Sequence, residues 1–488
     1  MFECDFLTST DAGKEAYRRL IAQAAQLVCE SFPSQPYSGL SPQSLAEKIT
    51  TNFLPETGAT ADEIAATLRT VLANSVAVSH PRTAAHLHCP PLLAAVAAEV
   101  VISALNQSLD SFDQAPIATI VEQKIVRWLC AEAGLPSTAD GTFTTGSSQS
   151  NYMGLLLARD ACLQKHWNWS AQKSGLPPEA RRLRILCSEV AHFTVEKSAS
   201  QLGLGTDAVL RIAVDENYRM KPDALRSALV SLRNEQLVPM AVVATAGTTD
   251  FGSIDPLPEV AALAQESDTW LHVDAAYGGA LLFSGQHRAR LAGIEAADSL
   301  AIDFHKLFWQ PIPCSAFLLR DARHFELIKL HADYLNSEGH DQEGIPNLVT
   351  TSLLTSRRFD ALKLWISFQA LGREKLAAMI DRTIALAKHA AEIIRQSRNL
   401  ELMSQPQLST VVFRYRSSRS GVDENALNAR IRQNLFDSGQ AVIGHTRIKQ
   451  KQCLKFTCLN PSVTEAQMEE LVSVIEECGR KLEPLEGR

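Results

Sequence analysis

Trp270-Leu-His-Val-Asp-Ala-Ala-Tyr277 and, far enough on for a helix to intervene, Ser299-Leu-Ala-Ile-Asp-Phe-His-Lys306 decide how this chain is read. In each, a short unbroken apolar run ends on an aspartate and passes into polar residues. Runs that are apolar on both faces suit strands of a covered parallel sheet, not the alternating strands of a half-exposed one. Similar runs lie on either side: Arg184-Ile-Leu-Cys, Ala241-Val-Val-Ala-Thr-Ala and Ser315-Ala-Phe-Leu-Leu. Between them come helical stretches such as Asn151–Gln164 and Leu257–Glu266. The alternation predicts an α/β domain, its mostly parallel sheet carrying helices on both faces. Open sheets of this kind bind ligands beyond the carboxyl ends of their strands. Asp274 and Lys306 stand there, thirty-two residues apart.

Working outward, Thr10–Phe32 places Tyr17, Leu20, Ile21, Ala24, Leu27 and Val28 at helical spacing, and Pro91–Asn106 reads as a second helix. These early helices are too few for a core of their own, so they are expected to dock on the rest or on a second subunit. A long helical pattern covers Glu374–Ser397. Strands follow at Ser409-Thr-Val-Val-Phe-Arg-Tyr415 and Cys453-Leu-Lys-Phe-Thr-Cys458, and Thr464-Glu-Ala-Gln467 has the spacing of a capping box. The expected organisation is a helical segment at 1–90, a large α/β domain at 91–373 and a small α+β domain at 374–488.

The 488 residues are 45% hydrophobic and 21% charged, with a net charge of −7 and no basic stripe, which argues against a nucleic-acid partner. The apolar run Leu92–Leu105 is 14 residues long and contains Glu99, too short for a spanning helix. No basic-then-apolar leader is visible at the start. Ten cysteines are scattered without a CxxC pair or metal-ligand spacing, as in a reducing cytoplasm.

Three places offer chemistry. Thr144-Thr-Gly-Ser-Ser-Gln-Ser-Asn151 leads into a helix; Gly146 allows a tight turn, and Ser147 and Ser148 supply N–H and hydroxyl donors at a helix N-terminus. That makes either a phosphate cup or an N-capped turn. Asp274 either caps the following segment or faces a pyridinium nitrogen, with small Ala276 against the ring face. Lys306, beside His305 and flanked by apolar residues, is either a turn lysine or a partly desolvated amine suited to imine formation. The order of phosphate turn, ring carboxylate and Schiff-base lysine, each after an apparent strand, points to pyridoxal 5'-phosphate.

Thr245-Ala-Gly-Thr-Thr, His272-Val-Asp-Ala-Ala-Tyr, Asp303-Phe-His-Lys and Arg357-Arg-Phe-Asp-Ala-Leu-Lys-Leu-Trp365 extend this. With them the chain resembles the pyridoxal-phosphate-dependent group II amino-acid decarboxylases, from about His80 to the C-terminus. The resemblance implies the aspartate-aminotransferase-like fold (fold type I), an amino-acid substrate and a homodimer with shared active sites. It implies that Lys306 holds the cofactor, that Asp274 faces the ring nitrogen, and that Ser147, Ser148 and His305 serve the phosphate. By the same resemblance His192 stacks over the ring and Thr249 lies near it. Tyr334 sits on a closing loop, from about Asp333 to Gly344, and returns a proton to Cα; Ser356 reaches a partner's phosphate. Tyrosine rather than phenylalanine at 334 argues against aldehyde synthesis, and the presence of Lys306, Asp274 and His192 against a scaffold without activity. Asn106–Pro116, His331–Asn336 and Pro346-Asn-Leu-Val look most like decarboxylases of L-2,4-diaminobutyrate, with siderophore-pathway lysine or ornithine decarboxylases next. Asp110 or Asp113 could meet the distal ammonium, but Asp113 also suits an N-cap before Pro116.

Overall fold

The apolar runs become strands. In this computed structural model, which describes residues 3–49, 52–336, 339 and 343–483, they are β1 (Thr83–Ala84), β2 (Asp140–Thr144), β3 (Leu183–Ser188) and β4 (Val209–Ile212). Next come β5 (Val238–Thr245), β6 (Trp270–Asp274), β7 (Ser299–Asp303) and β8 (Ser315–Leu319). The last are β9 (Leu400–Leu402), β10 (Thr410–Tyr415), β11 (Val442–Ile448) and β12 (Lys451–Thr457). They build a seven-stranded sheet, ordered β2-β8-β7-β6-β5-β3-β4, and a five-stranded one, ordered β1-β11-β12-β10-β9. The chain divides into two compact units: Leu87–Lys388 with Ser404–Thr410, and Met1–His86 with His389–Met403 and Val411–Arg488.

In the first unit β4, β3, β5, β6 and β7 run parallel, while β8 is antiparallel to both β7 and β2. The α/β reading therefore holds, with an antiparallel strand near one edge. The helix Ser147–Trp167 lies on the sheet because its apolar side chains match it. Leu155, Ala158, Cys162 and Leu163 pack with Ile185, Cys187, Ala241 and Val243, while Met153 and Leu157 meet Phe317 and Leu319. Burying one such leucine fully stabilises the fold by about 1.5–3 kcal/mol. The approach is tight at Gly154, where a Cβ would sit 2.4 Å from His272 Nδ1 on β6. Asp360–Gln396 is two helices that meet at Gly372, whose φ of 68° is left-handed, and the second of them is the helix expected from Glu374.

In the second unit Thr83 and Ala84 pair parallel with Val442 and Ile443, so residues 1–86 share a sheet with C-terminal residues. Asp11–Ser31 is helical, capped by Thr10, and buries only Gly13, Ala16 and Leu27. Thr464 and Gln467 form the capping box of the last helix, Glu465–Leu482. No helix among the described residues is long and apolar enough to cross a membrane.

Candidate active site

Three parallel strands end side by side on Thr245, Asp274 and Asp303, and a cavity of about 340 Å³ opens at that carboxyl edge. Its walls include Ser147, Ser148, His192, Thr249, Asp274, Ala276, His305 and Lys306, all singled out from the sequence. They also include Gln149, Asn151, Thr245, Gly247, Asp303 and Ile312, to which the sequence reading gave no role.

Asp274 ends β6 and is fixed from two directions. Asn151 Nδ2 donates to its Oδ2 at 2.8 Å, and the Ala276 N–H donates to Oδ1 at 3.1 Å. Asn151 in turn joins the surroundings of two histidines, His272, which is buried, and His192, which is half-buried. Its Oδ1 lies 2.9 Å from His272 Nε2, and its Nδ2 donates to Thr194 Oγ1 at 3.1 Å, which lies 2.9 Å from His192 Nδ1. Burial holds the His272 imidazole down to about 4 against the opposing pull of Asp274, so the ring is neutral at pH 7. Because Asn151 offers only an acceptor at Oδ1, His272 Nε2 carries the proton. Its Nδ1 then accepts from Ser299 Oγ at 2.8 Å, and Ser299 accepts from Trp270 Nε1 at 2.9 Å. The chain orients Asp274 through partners on the helix Ser147–Trp167, on β6 and on β7. Burial also lowers the pKa of His192, partly offset by Asp274.

Lys306 was expected in an apolar, desolvating site. Its flanks Leu307, Phe308 and Trp309 are buried, but the amine itself meets a carboxylate: Nζ lies 2.7 Å from Asp303 Oδ2. One turn of chain brings residue 303 back to 306. The other oxygen of Asp303 accepts from Ser147 N (2.9 Å), Ser147 Oγ (2.6 Å) and Ser315 Oγ (2.5 Å). Burial alone would raise this carboxyl, but the charges of Lys306 and His305 and the hydrogen bonds from Lys306 and Ser147 outweigh it and hold it at about 2. His305 is anchored by Nδ1–H donating to the Cys314 carbonyl at 2.9 Å.

The arrangement fits pyridoxal phosphate. A buried carboxylate, an imidazole, a lysine amine and a helix N-terminus with two serines surround one cavity. Two buried polar atoms in its walls, Gln149 Nε2 and Thr245 Oγ1, have no hydrogen-bond partner among the described residues, which is unusual for buried groups and marks a place for a polar ligand.

Four expected residues lie elsewhere. Tyr334 is 89% exposed on a turn that Asn336 closes by accepting from Ala332 N–H and donating to the Leu330 carbonyl. Of the loop expected from Asp333 to Gly344, residues 337–338 and 340–342 lie outside the described residues. Ser356 is exposed and does not border the cavity. Neither do Asp110, which is buried and accepts from Ser111 N–H, and Asp113, which accepts from Ser111 Oγ at 2.6 Å. Capping by Asp113 is not found either: the helix Pro116–Glu132 starts after Ala115 without a side-chain cap. Asp303 stood in a quoted motif, yet nothing in the sequence showed that its carboxylate turns back onto Lys306.

Residues 42–416 match the pyridoxal-dependent decarboxylase conserved domain. An L-2,4-diaminobutyrate decarboxylase of Rhizobium meliloti (strain 1021) is 42% identical over 99% of this chain and 96% of its own length. One of Acinetobacter baumannii is 42% identical over 83% of this chain and 81% of its own. Among solved structures, the glutamate decarboxylase domain of diaminobutyrate-pyruvate transaminase and L-2,4-diaminobutyrate decarboxylase from Vibrio parahaemolyticus superposes with a TM-score of 0.90. It is 40% identical and covers 99% of both chains.

Proposed function

This chain belongs to the pyridoxal-dependent decarboxylase family, and on that premise we propose that it converts L-2,4-diaminobutyrate to 1,3-diaminopropane and CO₂. It is an amino-acid decarboxylase of fold type I that works with pyridoxal phosphate. The observation that carries the site is that Lys306, Asp274 and His192 border one cavity with the N-terminus of the helix Ser147–Trp167.

When bound, the cofactor supplies an electron sink for the pair left as the bond from Cα to the carboxylate breaks. Lys306 would hold it covalently through Nζ and would give up that place to the substrate's amine. Asp274, fixed by Asn151 and the Ala276 N–H, would keep the proton on the ring nitrogen. His192 would lie against the ring, with Ala276 and Thr249 bordering it. Ser147, Ser148 and the helix N-terminus would hold the phosphate, with His305 beside them. Tyr334 returns a proton to Cα when its loop closes, and closure excludes water. Ser356 serves the phosphate of a partner's site.

The assembly in this reading is a homodimer. Its support is apolar surface: the helix Leu93–Leu105 buries Ala95, Ala98 and Ile102 but exposes Leu93, Val96, Val101 and Leu105. A reducing compartment, the cytoplasm, agrees with ten free cysteines, eight of them buried.

The test is kcat/KM with diaminobutyrate, ornithine, lysine, histidine, glutamate and an aromatic amino acid. Diaminobutyrate should lead. A higher value for glutamate or the aromatic substrate contradicts the substrate while leaving the class of reaction intact. On the same panel Tyr334→Phe should lose amine formation by about 10²–10⁴-fold, as expected for a lost general acid; unchanged amine formation assigns the proton to another group. Asp110→Asn and Asp113→Asn should weaken diamino substrates selectively if either carboxylate meets the distal ammonium.

A further inference from the structure

The stretch Arg357–Trp365 marks the family, yet nothing in the chemistry above uses it. Its Lys363 is wholly buried, an unusual place for an ammonium. Nζ reaches Glu99 Oε1 at 2.9 Å and Asp360 Oδ1 at 3.0 Å, which offset the cost of burying the charge. Its other hydrogen bonds go to two main-chain carbonyls, those of Pro311 at 2.9 Å and Pro313 at 2.7 Å. Both residues lack an N–H, so this turn is fastened through its carbonyls.

Between the two prolines stands Ile312. The neighbouring Trp309, Gln310 and Cys314 are buried, but Ile312 is 58% exposed, and it borders the same cavity as Lys306. Apart from Ala276 it is the one aliphatic side chain among the described residues of those walls, and its branched β-carbon makes it stiff. A wall of this kind offers apolar contact to the short methylene chain of a diamino acid whose two ends are charged.

We propose that Ile312 is a specificity-determining residue that packs against the substrate's side chain, and that Lys363 is the positioning residue that holds it there through the Pro311 and Pro313 carbonyls. This rests on the chain's being a decarboxylase of diamino acids. Truncating Ile312 enlarges the wall beside the substrate chain, so a longer substrate gains relative to a shorter one.

The experiment measures kcat/KM for diaminobutyrate and for lysine on the cofactor-loaded protein, together with the visible absorbance of the bound cofactor. Ile312→Ala should lower the diaminobutyrate-to-lysine ratio by about tenfold, the scale on which one or two methylenes are discriminated in a pocket, with the absorbance unchanged. Lys363→Met should shift the ratio the same way with the absorbance retained. If Lys363→Met does not fold, Glu99→Gln, which keeps its size and one acceptor, should give a smaller shift of the same sign. An unchanged ratio in Ile312→Ala overturns the specificity role, and a wild-type ratio in Lys363→Met, or in Glu99→Gln where that replaces it, overturns the positioning role. A wild-type protein inactive on both diamino acids instead overturns the substrate on which the inference rests.

Discussion

At the scale of residues, the site is a set of polar groups that fix one another. Asp274 and Lys306 were legible because each ends or follows an apolar run. Asn151 was not, because its partners Asp274, Thr194 and His272 come from elsewhere in the sequence and meet only after folding. The same holds for Asp303, whose pairing with Ser147 spans more than a hundred and fifty residues. Its carboxyl sits at about 2 in the folded chain, below the roughly 3.9 of an unfolded aspartate. A depressed value of this kind stabilises the fold above pH ~4, and that contribution is lost as the pH falls from about 4 toward 2. Asparagine does not titrate. The difference in unfolding free energy between the wild type and Asp303→Asn should therefore narrow below pH ~4, by an amount on the order of 2 kcal/mol in all. Denaturant melts of the cofactor-free protein, in which Lys306 keeps its free amine, measure it at a series of acidic pH values. A difference that stays constant through that window would show that Asp303 is not held by its cationic neighbours.

Among the elements, strands with continuous apolar runs were found from sequence, whereas β2 and β4 of the seven-stranded sheet, and β1, β9 and β11 of the other, were missed. β2 reads Asp-Gly-Thr-Phe-Thr, with one large apolar residue, and takes its place by pairing with β8. The helix Ser147–Trp167 is the element on which the site depends most. It presents its N-terminus to the cavity, sends Asn151 to Asp274 and packs its apolar side on the sheet. Gly154 lets it lie close to His272, whose two ring nitrogens are both engaged. Gly154→Ala should cost about 1–3 kcal/mol, the usual range for overpacking a core. It should also weaken retention of the cofactor, since His272 and Asn151 move together. Equilibrium denaturation and cofactor dialysis check the two effects; a variant as stable and as well loaded as the wild type would mean that helix and sheet separate without consequence.

For the whole molecule, the sequence revealed the α/β class and the candidate residues that line the carboxyl-edge cavity, but not the strand at Thr83–Ala84. This strand, β1, pairs with β11, more than three hundred and fifty residues away, a parallel pairing with no local signal. Apolar surface remains on the helices Asp11–Ser31 and Ala61–Ala73, where Leu20, Val28, Ile64 and Val71 are exposed, and on Leu93–Leu105, where Leu93 is 85% exposed. Surface of that extent on a chain of 53.4 kDa is expected to be covered by a second copy. Sedimentation of the active protein should give twice the chain mass, and a fully active species of single-chain mass contradicts the dimer.

Lys306 is the proposed point of cofactor attachment, and chemical trapping reads it directly. Borohydride reduction of the loaded protein, followed by proteolysis and mass mapping, should place the pyridoxyl group on the peptide that contains Asp303-Phe-His-Lys306. Lys306→Ala should lose both the label and the visible absorbance while remaining folded. A pyridoxyl group on any other lysine would contradict the assignment of the cavity as the active site.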